Sequence, residues 1–201
     1  DQVSITSKSR PRTCWSVHGA ITISRRGRST ANLGEPALKT ILASFDSGEI
    51  SGKRLLPSDW LLETTYRNLL VSTTRYLESA PAQRKPREFF FEMGRFAGNE
   101  GVSKYYKSLV RMFDTKFMLN RSPLLWGVMH SHGSMKVEGI GKTGAYVYLT
   151  DFPAPCKEFC YSLGGYMYAI GELTKAKMVR VEELECVLDG AKHCKYVGEW
   201  K

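Results

Sequence analysis

Apolar positions along this chain change their period twice. Residues 13–24 come first, with Trp15, Val17, Ala20, Ile21 and Ile23 set among polar neighbours, a near-alternating pattern that predicts a first strand. From Gly34 to about residue 130 the spacing is helical. Leu38, Ile41, Leu42 and Phe45 predict a short helix that opens at Gly34-Glu35-Pro36 and stops near Gly48. Pro57-Ser58-Asp59 supplies an N-terminal cap for a second helix reaching about Ser79, with Trp60, Leu61, Tyr66, Leu69, Leu70 and Leu77 at helical spacing. Ala80 to Pro86 is polar and holds two prolines, so it reads as a loop.

Helical spacing resumes at Arg87. Phe89, Phe90, Met93, Phe96 and Ala97 form one stripe, and Tyr105, Leu109, Met112 and Phe113 form another after a break at Gly98 to Gly101. Pro123 is expected to open a further helix through Leu124, Leu125, Trp126, Val128 and Met129, stopped by Gly133. Beyond that point the period becomes two. Met135 to Gly139 and Gly144 to Thr150 read as strands, the second with Ala145, Val147 and Leu149 alternating with Tyr146 and Tyr148. A helix from about Ala154 to Gly171 follows, then strands over about Ala176 to Leu188 and His193 to Trp200. A strand, a block of helices, then hairpins split by a helix predict an α+β fold, helices packed on an antiparallel sheet. The expected organisation is a basic flexible arm over residues 1–12 and one domain over 13–201, since 201 residues suffice for one sizeable core.

Charge adds one question. The net charge of +9 is concentrated early, at Lys8, Arg10, Arg12, Arg25, Arg26 and Arg28, with more at Arg84, Lys85 and Arg87. Such clusters can neutralise phosphates, but no nucleic-acid-binding motif accompanies them, and a solvated basic surface is the preferred reading. A basic nucleic-acid-associated factor is kept as an alternative function. No apolar run approaches the roughly 20 residues that span a bilayer, and no signal-peptide core opens the chain. A cytoplasmic, reducing compartment without membrane association is therefore the expectation, which favours thiols or thiolate ligands over disulfides.

Chemistry concentrates at the end of the chain. Four of the five cysteines, Cys156, Cys160, Cys186 and Cys194, lie in the last stretch, two of them flanking the turn at Asp189-Gly190. A three-residue loop there puts Cys186 opposite Cys194, and a thiolate pair on a hairpin is half of a tetrahedral metal site. Cys160 and Glu183 are candidates for the other half. Two observations leave the fourth ligand open. On a regular strand Glu183 and Cys186 face opposite sides, so both reach one ion only across a bulge. Cys156, one helical turn before Cys160, is the substitute.

The string Glu-x-x-Cys, seven residues, Cys, with Gly190 between and Tyr196 after, resembles the end of the 4-vinyl reductase domain, found also as the sensor of phenol-responsive bacterial activators. Cys160, opening Cys-Tyr-Ser-Leu-Gly-Gly-Tyr, is similar to the cysteine that precedes a Gly-Tyr helix in that family. The resemblance is specific over residues 155–200; over 15–150 it is one of layout, nearest to uncharacterised myxobacterial-type proteins. It implies a structural Zn2+ held by Cys160, Glu183, Cys186 and Cys194, a small apolar or aromatic ligand, a homodimer, and an output through an effector protein that the sequence leaves unidentified. The wider superfamily includes a haem-based nitric-oxide sensor that holds its propionates with a Tyr-x-Ser-x-Arg string. That string is absent here, so no haem is expected. Vesicle-tethering subunits share the superfamily too, which makes a non-catalytic interaction scaffold the other alternative.

Candidate ligand-binding residues are Phe113, Trp126, His130 and Tyr146, aromatic or imidazole side chains that can line an apolar cavity. No catalytic constellation emerges. Gly139-x-Gly141-x-x-Gly144 lies between two strands and serves as a hairpin loop, and neither a nucleophile elbow nor a phosphate loop is present. The expected function is thus a small-molecule sensor or binding module with a structural zinc site, with enzymatic activity left open.

Overall fold

The computed structural model describes residues 12–13, 33–46, 48, 50, 61–79, 84–112, 114–152, 156–174 and 176–201. Residues 1–11 of the basic arm and most of the strand expected over 13–24 lie outside them, as does Phe113, while Arg12, expected in the flexible arm, is in a strand. Arg12–Thr13 forms β1, paired antiparallel with β2 at Leu61–Leu62. The remaining order is α1 (Gly34–Ala43) before β2, then α2 (Glu63–Ser79), α3 (Pro86–Met112), α4 (Thr115–Met129), β3 (Ser134–Ile140), β4 (Gly144–Thr150), α5 (Lys157–Leu173), β5 (Met178–Glu185), a 3-10 turn (Val187–Asp189) and β6 (Cys194–Trp200). Five helices thus accompany a four-stranded antiparallel sheet of order β3-β4-β6-β5 among the described residues, an α+β architecture.

Three helices differ from the sequence expectation. α2 starts only at Glu63, because Leu61 and Leu62, expected in that helix, pair with β1 instead; the other two differ for reasons of their own. α3 runs unbroken through Gly98 and Gly101 instead of stopping there. Its glycines serve contact with α5, not termination. A Cβ on Gly94 would sit 1.8 Å from the Ser162 carbonyl oxygen, and one on Gly98 would sit 2.7 Å from the Ala169 Cβ. On the facing helix, a Cβ on Gly165 would meet the Phe91 carbonyl oxygen at 1.8 Å. The two backbones touch, which only glycine permits.

α4 begins at Thr115, well before Pro123. Asp114 caps it, accepting from the Phe117 N–H at 2.7 Å. Pro123 lies inside the helix and cannot donate to the Leu119 carbonyl. The Ser122 hydroxyl donates to that carbonyl instead, at 2.7 Å, and so repairs the ladder where the proline breaks it.

Alternation on the sheet separates its two faces. Ala145, Val147 and Leu149 of β4 and Cys194 and Tyr196 of β6 are buried on the side covered by α5. Tyr146, Tyr148 and Lys195 occupy the other side, where the Lys195 ammonium sits 4.3 Å from the Tyr146 ring centroid. The core continues through Tyr66, Leu69, Leu70, Phe90, Met93 and Phe159, joining α2, α3 and α5.

Candidate metal centre and ligand pocket

Cys160, in the first turns of α5, meets the end of β5 and the start of β6 at the buried corner of the sheet. Cys160, Glu183, Cys186 and Cys194 each offer one ligand atom, and these atoms all lie within 4.8 Å of one another. The Cys160 and Cys186 sulfurs are 3.8 Å apart, and those of Cys186 and Cys194 are 3.9 Å apart. Zinc–thiolate bonds of about 2.3 Å at tetrahedral angles would space the sulfurs by about 3.8 Å.

Glu183 reaches the group through an irregularity in β5. Glu183 pairs with Tyr196 and Glu185 with Lys195, so one extra residue, Leu184, is accommodated between them. Leu184 turns outward, and Glu183 and Cys186 come to one side. The loop after β5 is wider than a three-residue hairpin. The Cys186 carbonyl accepts from both Asp189 and Ala191 N–H groups, and Gly190 closes the turn with a φ of 90°.

Cys156 is not among the four. It caps α5 with extended backbone, φ −169° and ψ 166°, so the one-turn spacing to Cys160 does not stack the two thiols on one helix face. Burial pushes its thiol up to about 12.

The four groups crowd like charge. Cys194 is brought down to about 6, chiefly by a hydrogen bond from the Cys160 thiol. Cys160 in turn is pushed far up, first by that bond and then by burial and the neighbouring Glu183. Burial raises Cys186 as well. One proton leaves readily and the next ones do not, a conflict that a divalent cation resolves. Lys157 already supplies part of that charge: its ammonium lies 3.6 Å from Glu183 Oε2 and bonds Asp189. The Tyr196 hydroxyl donates to the Cys160 carbonyl at 3.2 Å and to Glu183 Oε1 at 3.3 Å, fixing the carboxylate beside the sulfurs.

The other end of the Tyr196 ring belongs to a second feature. A cavity of about 460 Å³ lies between α4, α5 and the covered face of the sheet. Phe117, Leu125, Trp126, Met167, Tyr196 and Trp200 are among its walls, and among the described residues Asp and Glu are absent from them. Its size is that of a small-molecule site. Of the residues proposed from sequence, Trp126 and His130 line it. Tyr146 does not, because the period of two turns it to the opposite face. His130 is buried and stacked on Trp126 with centroids 3.8 Å apart, its edge toward Phe152 and Phe159. Burial lowers its pKa to about 3, so the imidazole is neutral.

Sequence reasoning missed Arg121, Met167 and Trp200 as lining residues. Alternation along β6 carried the signal for Trp200, two and four residues beyond the inward Gly198 and Tyr196. For Arg121 the signal was masked by starting the helix at Pro123.

No protein-family model matches the sequence, and no curated protein matches it significantly. Solved structures do. An H-NOX protein from S. oneidensis in the Fe(II)NO ligation state is similar over 83% of this chain and 89% of its own, at 13% identity and a TM-score of 0.60. An oxygen-binding H-NOX domain related to soluble guanylate cyclases, solved as its oxygen complex, is similar over 82% of this chain and 91% of its own, at 12% identity and a TM-score of 0.53. A structure probing heme distortion in the H-NOX family is similar over 83% of each chain, at 15% identity and a TM-score of 0.55. These likenesses correct the expectation that haem is excluded. The absent Tyr-x-Ser-x-Arg string removes one set of propionate contacts, but neither the cavity nor a neutral imidazole on its wall depends on that string. This chain has the fold of the H-NOX domains.

Proposed function

We propose that this chain is a regulatory binding module that holds a small apolar or aromatic ligand in the cavity and a structural zinc ion on Cys160, Glu183, Cys186 and Cys194. One observation carries the reading: Tyr196 walls the apolar cavity with its ring while its hydroxyl bonds a carboxylate of a four-ligand cluster. The ion ties the start of α5 to the β5–β6 hairpin, and that corner in turn positions one wall of the cavity. Three thiolates and a carboxylate suit zinc, and the closed set leaves no position for a reacting group, so its role is structural. The resemblance of residues 155–200 to the 4-vinyl reductase domain supports this reading, and a homodimer that signals to a separate effector belongs to it.

The fold neighbours favour a second reading of the same cavity, haem. His130 is the imidazole on the wall, in the neutral form that ligates iron, and Arg121 is the cation available to a carboxylate edge. Iron in the porphyrin would supply the binding of a diatomic gas, while this chain would contribute the His130 imidazole to hold the iron and a dry enclosure.

Native mass spectrometry of full-length protein purified without chelator tests both readings. The expected spectrum shows one zinc per chain, a dimer, and a retained organic mass. A haem mass with a Soret band lost in His130→Ala selects the second reading for the cavity. A metal-free chain that neither retains nor binds apolar molecules overturns the proposal.

A further inference from the structure

We propose that the ligand is an amphipathic organic acid, its apolar chain or ring inside the cavity and its carboxylate on Arg121 at the rim; this rests on the binding-module reading above. Among the described residues the walls of the cavity carry Phe, Leu, Met, Val and Trp side chains and no Asp or Glu, so an ionised amine would enter without a carboxylate partner. Arg121 is the one permanently charged residue among these described wall residues. It is exposed, and its guanidinium rests over the Phe117 ring, 5.4 Å from the centroid. Phe117 also lines the cavity, so the cation is held at the edge of the apolar surface by a contact that leaves its N–H edge able to take a carboxylate.

Several cations elsewhere on the described surface are paired with carboxylates. Arg95 bonds Glu172, Arg180 bonds Glu182 and Glu199, and Lys157 meets Glu183 and Asp189. α4 itself contains Lys116 and Arg121 and no acidic residue. The hydroxyls near the same helix are also engaged: Thr115 bonds Thr174, and Ser122 donates to the Leu119 carbonyl. The guanidinium is therefore the group that selects the polar end of a ligand, and it selects an anion.

The test compares decanoate with decan-1-ol, which share a tail and differ in the head, by isothermal titration of the full-length protein as purified. Decanoate is expected to bind at least about tenfold tighter, the usual worth of a charge-assisted hydrogen bond. Arg121→Gln is expected to abolish the difference while leaving decan-1-ol affinity unchanged, which also shows that the variant keeps its cavity. Equal binding of the two molecules overturns the acid preference and leaves the apolar-ligand reading standing. A preference for decanoate that survives Arg121→Gln overturns the assignment of the head group to Arg121. Binding of neither molecule overturns both.

Discussion

The corner around Cys160 and the helix α4 are built in contrasting ways. At the corner, α3 and α5 approach until backbone meets backbone, the three thiols are buried, and Tyr196 hydrogen-bonds two of the neighbouring groups. α4 packs chiefly on β3, with Trp126 Nε1 donating to the His132 carbonyl at 3.3 Å and Thr115 bonded to Thr174. It leaves Leu124 and Val128 each 64% exposed. A cavity with one rigid wall and one lightly held wall admits a ligand without disturbing the cysteine corner. The stability of the molecule should accordingly be concentrated on the corner side.

The sharpest way to break this contrast is to remove a sulfur. Cys186→Ser or Cys194→Ser should cost about 4 kcal/mol or more, because binding energy at a structural zinc site is in part folding energy. Chemical denaturation with and without chelator measures it, and chelator should bring the wild type down to the level of the variants. Next come the glycines. Gly94→Ala or Gly165→Ala forces a Cβ into a carbonyl oxygen and should cost about 3 kcal/mol, read as a lowered denaturation midpoint.

His130 gives a pH dependence of known sign. Its folded pKa, about 3, lies below the ordinary 6.5, so the unfolded state takes up the proton first. Its contribution is flat above about pH 6.5 and stability falls by about 1.4 kcal/mol for each unit of acid below that, until about pH 3. Comparing wild type with His130→Gln across that window isolates the slope from the carboxylates and thiols, and equal slopes would remove His130 from the account. Smaller again is Tyr196→Phe, which should weaken zinc binding about tenfold by freeing Glu183, measured by competition with a chromophoric chelator. The smallest effect marks the other side of the comparison. Gly127→Ala in α4 meets nothing within 4 Å and should stabilise by about 0.5–1 kcal/mol, the ordinary helical gain.

Much of the fold was legible because its strands and helices differ in period. The strands at 134–140, 144–150 and 194–200 and the helix ending near Leu173 follow directly from alternation and helical spacing. Three helix limits were not: the start of α2 was hidden by the pairing of Leu61 and Leu62 with β1, and Gly98 and Pro123 carry two meanings each. Glycine ends helices and also lets them touch, and only the partner helix decides which. Proline opens helices, yet Ser122 lets Pro123 sit inside one. At the cluster, the spacing of Glu183, Cys186 and Cys194 was readable, and so was the need for a bulge; that Leu184 provides it is a property of the register with β6. The exclusion of Cys156 depends on backbone angles at a helix cap, which spacing does not encode. Tyr146 was mistaken for a lining residue by counting aromatics without assigning them a face.

The central claim is that the buried cysteines are ligands and not ordinary small hydrophobes. Elemental analysis of the full-length protein, purified without chelator and exchanged into metal-free buffer, tests it most directly. The account predicts about one equivalent of zinc per chain, retained at neutral pH and released on acidification as the thiolates protonate. Less than about a tenth of an equivalent, with Cys186→Ser no less stable than the wild type, would contradict it.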